Sequence, residues 1–321
     1  MTEPAHEAAA PRRGVRERAG EALELHIDGR DIRVTHPGRV VWPRAGTTKR
    51  ELIDYLLAVA PVLLPAVRRR PTMLWRFPEG VDGPGWFQAQ CRSRPPWVPT
   101  HPIIGRRGER LDYCVIEEPA TLAWLANLGT IELHPHNWTV DAPDDATGVV
   151  FDLDPGPPAG LVEAARVGLF LRDRLRMDGL DPAVKTSGSL GLHVVAPVVA
   201  GTPSTATKAY ARRVADELAA EHPDRVIARS DRAARAGLVF VDWIQNDRGR
   251  QLIAPYSPRA TPVPRVSTPV RWPDVELAAV DGRLEQLRPT LRQVLERIER
   301  NGDPWAGTVP RPLPPIPEAD A

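Results

Sequence analysis

The alternation of apolar and polar positions near the N-terminus predicts a β-hairpin and then a helix. Apolar residues recur at every second position on both sides of an Asp-Gly pair, at Leu23, Leu25, Ile27, Ile32 and Val34. This pattern is typical of two antiparallel strands joined by a tight turn. A short strand is predicted over 40–42, and Thr48 with Glu51 forms a capping box that predicts the start of a helix. Pro61 is expected to kink or break that helix.

Farther along the chain, strand and helix patterns are interleaved. Aromatic residues and turns over 71–100 predict strands joined by loops. Helical periodicity is found over 119–129, 160–178, 204–221 and 284–301. Apolar runs of strand length are found over 130–133, 148–154, 183–199 and 237–243. Because strands precede helices early and alternate with them later, the sequence predicts an α+β fold around a mixed or antiparallel sheet.

Segments without apolar periodicity lie at both ends of the chain. Residues 1–20 combine Ala, Pro, Arg and Glu and are predicted to be a disordered tail. Residues 304–321 are rich in proline and are predicted to be extended and partly disordered. The patterned residues 21–303 are therefore expected to form the folded domain.

Two acidic residues, Asp152 and Asp154, interrupt an apolar strand pattern. Residues two apart on a strand point to the same face, so both carboxylates project side by side, and leaving them unpaired in apolar surroundings would be costly. Asp242 stands at the end of another apolar run. Three carboxylates on two core strands form an oxygen-rich set that suits Mg²⁺ or Mn²⁺, as in the two-metal sites of phosphoryl transfer.

A segment rich in glycine and serine, KTSGSLGLHVVAPV, lies between the two acidic strands over 185–198. Its small residues would let backbone N–H groups approach an anion closely, although such segments are often plain hairpin turns. Flanked by the acids, it is a candidate cradle for a triphosphate, in which Ser187 and His193 donate to phosphate oxygens.

Three other positions each have two interpretations. His134 is either a core histidine or a further phosphate contact, and Arg259 either holds a phosphate or is one arginine among many. Trp86 and Phe87 are either core residues or, if exposed in their glycine-flanked loop, a stacking platform for a nucleobase. From the acids alone, a metal-dependent nuclease or phosphatase is about as well supported as a nucleotidyltransferase.

Composition limits these choices only a little. The 321-residue chain has a formal net charge of +1, so no global field points to a nucleic acid, although a local basic groove remains compatible with this balance. Cys91 and Cys114 are the only cysteines, and their spacing is not that of a metal site, which favours a reducing, cytoplasmic setting. Neither a signal peptide nor a membrane-spanning run is evident in the sequence. Lysine is rare, since only Lys49, Lys185 and Lys208 occur among 42 basic residues.

Three motifs in this order, FDLDPGP, SGSLGLH and VFVDWIQN, resemble those of the archaeo-eukaryotic primase superfamily, specifically the polymerase domain of bacterial non-homologous end-joining ligase D. The resemblance extends from about Ile32 to about Asp303. It implies a two-lobed primase-like fold with an RRM-like catalytic sheet over 21–303. It also implies template-directed addition of nucleotides, typically ribonucleotides with Mn²⁺, to DNA 3′ ends during end joining near the nucleoid.

The resemblance also implies roles for particular residues. Those that match family positions are the metal-binding Asp152, Asp154 and Asp242, the nucleotide-binding Ser187, His193, His134 and Arg259, the template-stacking Phe87, and Arg39 with Lys49, which match a pair gripping the 5′-phosphate of the downstream strand. Lys49 also lies in the predicted first turn of its helix, where amides favour an anion.

Departures from the family pattern concern basic residues. Leu190 and Ala89 stand where many relatives carry a basic side chain. No lysine lies in the K-x-D-G context that a nucleotidyl-transferring ligase needs, so the expectation is a stand-alone polymerase that works with the Ku end-binding protein and a separate ligase. A DNA-end-binding adaptor with little catalysis is kept as an alternative because of Leu190.

Overall fold

The computed structural model describes residues 13–17, 22–105, 107–231 and 233–315. Within them the strands are β1 (Arg13–Glu17), β2 (Ala22–Ile27), β3 (Arg30–Thr35), β4 (Val40–Trp42), β5 (Thr47–Thr48), β6 (Pro71–Arg76), β7 (Trp86–Gln88), β8 (Thr100–Ile104), β9 (Arg110–Val115), β10 (Thr130–Pro135), β11 (Gly148–Pro155), β12 (Ala183–Thr186), β13 (Leu192–Pro197), β14 (Val226–Ile227), β15 (Val239–Asp242) and β16 (Pro269–Val270). The α-helices are α1 (Lys49–Val67), α2 (Pro119–Asn127), α3 (Leu161–Met177), α4 (Ser204–Glu221), α5 (Trp272–Asp281) and α6 (Leu291–Asn301).

Two hydrophobic cores divide the molecule into two lobes, as the α+β, two-lobed prediction requires. In the first lobe, a sheet with the order β10-β6-β9-β8, to which β7 adds on β6, packs with α1 and α2. In the second, a sheet with the order β14-β15-β11-β13-β12-β16 packs against α3, α4 and α5. Except for the β14–β15 pair, neighbouring strands of this second sheet are antiparallel. The RRM-like description of this sheet stays a prediction.

The alternation along β11 decides which side chains leave the second core. Phe151 and Leu153 are buried in that core beneath the helices. The intervening residues, Asp152 and Asp154, therefore point to the opposite face of the sheet. The same alternation on β15 buries Val241 and turns Asp242 away from the helices.

Most predicted elements are confirmed, with three corrections. The hairpin β2–β3 and the Thr48–Glu51 capping box of α1 form as expected. Helix α1 is not broken at Pro61, because it continues through Pro61 to Val67. The helix predicted over 284–301 begins only at Leu291, and α5 was not predicted.

The predicted tails are partly described by the structure. Residues 13–17 pair with β2 as a strand, and the rest of the expected N-terminal tail lies outside the described residues. The proline-rich segment is anchored to the second lobe, since Trp305 Nε1 donates to Val184 O (3.0 Å) and Arg311 N donates to Pro197 O (3.1 Å). Its last residues, 316–321, also lie outside the described part.

Two further observations bear on the sequence analysis. Cys91 and Cys114 are joined by a disulfide, which the sequence did not predict. Within the described residues, every helix is too short or too polar to cross a bilayer.

Candidate active site

A row of polar side chains crosses four adjacent strands on the open face of the second sheet. Asp242 on β15 pairs with Asp152 on β11, which pairs with His193 on β13. His193 in turn pairs with Lys185 on β12. Directly opposed residues of antiparallel strands share a face, so the register brings Asp242, Asp152, His193 and Lys185 into one line. Asp154 lies beside this line, two residues beyond Asp152 on β11.

Hydrogen bonds connect the inner half of this row. Lys185 Nζ lies 2.6 Å from His193 Nδ1 and donates to Ser267 Oγ at 2.7 Å. On the other side of the imidazole, His193 Nε2 is 3.2 Å from Asp152 Oδ1. Lys185 is only 1% exposed, so its amine is embedded in the protein behind the histidine.

The three carboxylates are electrostatically strained by burial and by one another. Burial raises the pKa of Asp152 to about 6, although the charges of Lys185 and Arg259 oppose the shift. Desolvation and the neighbouring Asp152 raise the pKa of Asp154 to about 6, even though Asp154 still reaches solvent. The pKa of Asp242 is raised by burial and then by Asp152. A cation placed here would relieve both the desolvation and the mutual repulsion.

The glycine-rich segment forms a closed loop at the edge of this row. Ser187 N donates to Gly191 O, and Ser187 Oγ accepts from the amides of Ser189 (3.2 Å) and Gly191 (3.1 Å). A Cβ on Gly191 would lie 2.4 Å from Leu153 O, so only glycine fits there. The amides of Ser189 and Gly191, which were candidates for binding an anion, therefore donate to Ser187 Oγ instead. The hydroxyl hydrogen of Ser187 is the group that can donate to a phosphate oxygen.

The first lobe contributes His134 and Arg259, and a buried glutamate holds both. Glu132 on β10 is 1% exposed; its Oε2 is 2.9 Å from His134 Nε2 and accepts from Arg259 Nη1 at 3.0 Å. Its other oxygen, Oε1, accepts from Ala260 N at 2.8 Å. Burial lowers the pKa of His134, while its hydrogen bond to Glu132 opposes the shift. Gly188 lets the loop pack against Arg259, because a Cβ there would lie 2.4 Å from Arg259 Cγ.

These elements enclose a cleft of about 600 Å³ between the lobes. Among the predicted site residues, its walls include Asp152, Asp154, Ser187, His193, His134 and Arg259. Arg235 and Gln245 line it as well, and Gln245 Nε2 donates to Asp242 Oδ2 (3.2 Å). Asp242 is not among the lining residues, and its Oδ1 accepts from Ile244 N (2.9 Å).

Several buried polar atoms of residues that line the cleft make no protein hydrogen bond. They are Arg259 Nε, Arg235 Nε and Asp152 Oδ1, and the last has only its charge contact with His193 Nε2 at 3.2 Å. Buried donors and acceptors are almost always hydrogen-bonded, so these atoms make the cleft a candidate ligand site. Three carboxylates are a donor set that fits a hard divalent ion in its chemistry. Across the described residues, however, no three His, Cys, Asp or Glu side chains converge into a ready-made metal site.

Phe87 lies at the rim of the same cleft. Its ring stacks on Trp75 (4.7 Å between centroids) and meets His134 edge-on (5.6 Å). Phe87 is 57% exposed, which excludes the core interpretation, and its role as a stacking platform stays a prediction. Trp86 is also exposed, with the Arg76 guanidinium 5.5 Å from its ring.

Arg39 and Lys49 are not among the residues that line the cleft. Lys49 is the first residue of α1, as expected, but it is only 5% exposed. Its Nζ donates to Thr35 O (2.7 Å) and Asn127 O (3.1 Å), and burial, with the charge of Arg39, lowers its pKa. Arg39 is exposed and donates from Nη1 to Pro78 O (2.8 Å).

Lys185, Glu132 and Arg235 were not predicted as site residues from the sequence. Two of them carried a usable signal: Lys185 is a rare lysine within a strand of apolar neighbours, and Glu132 is an acid inside the apolar strand that leads to His134. An acid inside an apolar run is the same kind of signal that identified Asp242. Arg235 carried none, because arginine is abundant in this chain.

The sequence of this chain matches a known protein family. A family profile described as the LigD primase-polymerase domain matches residues 48–305. The multifunctional non-homologous end joining protein LigD of Mycobacterium bovis is 37% identical over 281 residues, which are 85% of this chain and 36% of that protein. The LigD protein of Pseudomonas aeruginosa is 31% identical over 308 residues, covering 92% of this chain and 35% of that protein.

A solved structure gives the same result in three dimensions. The polymerase domain from Mycobacterium tuberculosis ligase D in complex with DNA superposes with a TM-score of 0.80 at 36% sequence identity, covering 86% of this chain and 97% of that domain. The chain spans about a third of the length of the curated relatives it matches. The match over both lobes and all three acidic and glycine-rich motifs shows that this chain belongs to the LigD primase-polymerase domain family.

Proposed function

We propose that this protein is a metal-dependent nucleotidyltransferase that adds nucleotides, preferably ribonucleotides, to DNA 3′ ends at gaps or breaks, directed by a template strand. One observation carries the proposal: Asp152, Arg259 and Arg235 line the same cleft. Arg259 Nε and Arg235 Nε are buried without a protein hydrogen bond, and Asp152 Oδ1 has only a charge contact with His193 Nε2 at 3.2 Å. A nucleoside triphosphate with a divalent cation supplies anionic oxygens for the two Nε atoms and a positive charge for the carboxylate.

The chain's own residues would bind and orient the triphosphate. Arg259, braced by Glu132, offers a guanidinium to phosphate oxygens, and Ser187 and His134 offer a hydroxyl and an imidazole. His193 presents Nε2 beside Asp152. Fixed donors around the transferred phosphoryl group lower the barrier because they stabilise charge that develops in the transition state.

Asp152, Asp154 and Asp242 would hold Mn²⁺ or Mg²⁺, which lowers the pKa of a bound hydroxyl and neutralises phosphate charge. Their raised pKa values mean that ion binding at mildly acidic pH competes with protons.

The DNA would approach the cleft past Phe87. An aromatic ring that is more than half exposed and adjoins His134 suits a template base stacked next to the incoming nucleotide. Arg39, with the N-terminus of α1 at Lys49, is the proposed contact for a 5′-phosphate across the gap. The solved relative in complex with DNA supports a DNA substrate, and the end-joining names of the relatives support the Ku end-binding protein and a DNA ligase as partners near the nucleoid.

The test is nucleotide incorporation on gapped DNA carrying a 5′-phosphate, with Mn²⁺ or Mg²⁺ and either ribo- or deoxyribonucleoside triphosphates. Template-matched addition by the parent and its loss in Asp152→Ala are expected, with ribonucleotides used more efficiently. Failure to add any nucleotide with either metal, by a protein that binds the DNA, would overturn the proposal.

A DNA-end-binding adaptor is the second candidate. Leu190, at the tip of the loop that contains Ser187, is 52% exposed and brings no charge to the cleft. An adaptor would bind the gapped DNA equally well after Asp152→Ala and would incorporate nothing. Placing a cation there with Leu190→Lys separates the candidates, because it should raise nucleotide incorporation by a working polymerase and leave an adaptor without incorporation.

A further inference from the structure

We propose that Lys185 is a positioning residue that fixes His193 in the tautomer with its proton on Nε2, aimed at the metal and phosphate side of the cleft. The inference deepens the proposed function and rests on it for its catalytic consequence. Lys185 does not line that cleft, so it would act only through the histidine.

The hydrogen bonds around the amine determine its direction of donation. Ser267 Oγ donates its own hydrogen to Thr186 O (3.0 Å), so it accepts from Lys185 Nζ. Burial lowers the pKa of Lys185, and the charge of Asp152 opposes that shift. In its ammonium form the side chain has only donors, so its 2.6 Å contact with His193 Nδ1 makes that nitrogen an acceptor. A neutral imidazole with a bare Nδ1 carries its hydrogen on Nε2.

The other side of the ring favours the same tautomer. His193 Nε2 faces Asp152 Oδ1 at 3.2 Å, and that oxygen has no other protein partner. A lone pair on Nε2 would point at the lone pairs of a carboxylate, which is repulsive, whereas Nε2–H is attracted to it. The array of ammonium, imidazole and carboxylate therefore has one favourable arrangement of protons.

Burial makes this arrangement consequential. His193 and Lys185 are both almost completely excluded from solvent, so water cannot supply the hydrogen bond that either nitrogen would lose. Partners behind a functional histidine typically alter affinity or activity by about 10–100-fold when they are removed. Replacing Lys185 is therefore expected to lower incorporation by about 10–100-fold, chiefly as a raised KM for the nucleotide and not for the DNA end.

The direct test is the ring nitrogen spectrum of ¹⁵N-histidine-labelled full-length protein. The chain has eight histidines, and His193→Gln identifies the signals of His193. Nitrogen shifts of an Nε2–H tautomer in the parent, and a mixture of tautomers in Lys185→Met, are expected. An Nδ1–H tautomer in the parent would overturn the inference even if the protein is an active polymerase.

Kinetic controls separate positioning from folding. Lys208→Met, which removes a partly exposed lysine paired with Asp247, should leave incorporation and tautomer unchanged. Lys185→Arg, which keeps a donor, should recover much of the parent's nucleotide KM. In a His193→Gln background, Lys185→Met should cause no further loss, and an additive loss would contradict action through the histidine. If the parent incorporates nothing, the proposed function fails, while the tautomer spectrum still decides this inference.

Discussion

The cleft and the Arg39–Lys49 region both contain cations that the sequence assigned to phosphate, yet the protein holds them in opposite ways. In the cleft, Arg259 Nε and Asp152 Oδ1 are buried without a protein hydrogen bond, and Asp152 Oδ1 has only a charge contact with His193 Nε2 at 3.2 Å. At the other region, Lys49 donates to two backbone carbonyls, and Arg39 donates to a third. Polar atoms in the cleft can therefore still bind a ligand, whereas Lys49 Nζ already donates two hydrogen bonds to backbone carbonyls.

This difference teaches that sequence position and charge do not by themselves distinguish a ligand-binding cation from a structural one. A cation saturated by carbonyls contributes to stability through a network that would be costly to break. A cation or carboxylate left unpaired in a cleft is destabilising until a ligand arrives, and such groups are typical of functional sites. The predicted consequences of substitution are therefore opposite in the two regions.

The largest expected effect is the loss of catalysis on removing Asp152. Asp152→Ala should lower nucleotide incorporation by about 10³-fold, because several kcal/mol of transition-state stabilisation depend on the metal site. Single-turnover incorporation at saturating nucleotide measures it. Arg39→Ala is the control from the other region, and a loss of equal size in both variants would break the comparison.

The next effect is a pH-dependent gain in stability at the same position. The pKa of Asp152 is raised to about 6 in the folded state, above the unfolded value of about 3.9. Protonated Asp152 therefore favours folding, and this contribution is lost as pH rises through about 6. Asp152→Asn should raise the free energy of unfolding by about 2 kcal/mol at neutral pH and change it little near pH 4.

Urea unfolding at the two pH values measures that gain. Asp216→Asn, which removes an exposed acid on α4, is the matched control and should show no such pH dependence. If Asp152→Asn and the parent have the same free energy of unfolding at neutral pH, the ionised Asp152 carboxylate does not destabilise the fold. The polar groups of the cleft would then be as well paired as Lys49.

Local patterns in the sequence predicted elements and acids well, and long-range contacts poorly. The alternation along β11 was sufficient to place Asp152 and Asp154 on one sheet face, because strand geometry is local. The contacts of Lys49 with Asn127, and of Glu132 with Arg259, join residues far apart in the chain. No periodicity encodes such contacts, so the burial of Lys49 and the bracing of Arg259 emerged only from the packed structure.

Helix α1 shows the same limit for local rules. Proline disfavours a helix interior by removing one donor and crowding the preceding turn. Helix α1 nevertheless passes through Pro61 and Pro65, and its apolar face is buried in the first core. Tertiary burial over nineteen residues outweighs the local penalty.

Substituting Lys49 tests the structural side of the comparison. Lys49→Met should lower the free energy of unfolding by about 2 kcal/mol, because Thr35 O and Asn127 O lose their ammonium donor. Arg39→Ala, at an exposed position, should change it by less than about 0.5 kcal/mol. Thermal or urea unfolding measures both, together with binding to gapped DNA with and without a 5′-phosphate. If Lys49→Met is as stable as the parent but binds gapped DNA equally well with and without a 5′-phosphate, Lys49 is a ligand-binding cation like Arg259 and not a structural one.

The smallest expected effect concerns Phe87. Its ring contacts His134, which lines the cleft, and it also stacks on Trp75. Phe87→Ala should weaken binding of gapped DNA by about tenfold, since stacking of one base on an aromatic ring contributes about 1–3 kcal/mol. Stability should change little because the ring is 57% exposed.

Phe87→Tyr is the control, since it keeps a ring of similar shape and should bind like the parent. Titration of a fluorescent gapped duplex measures the difference. If Phe87→Ala binds the gapped duplex as tightly as the parent but has a lower free energy of unfolding, the ring serves mainly to cover Trp75. The DNA would then make no contact beyond His134 on this side of the cleft.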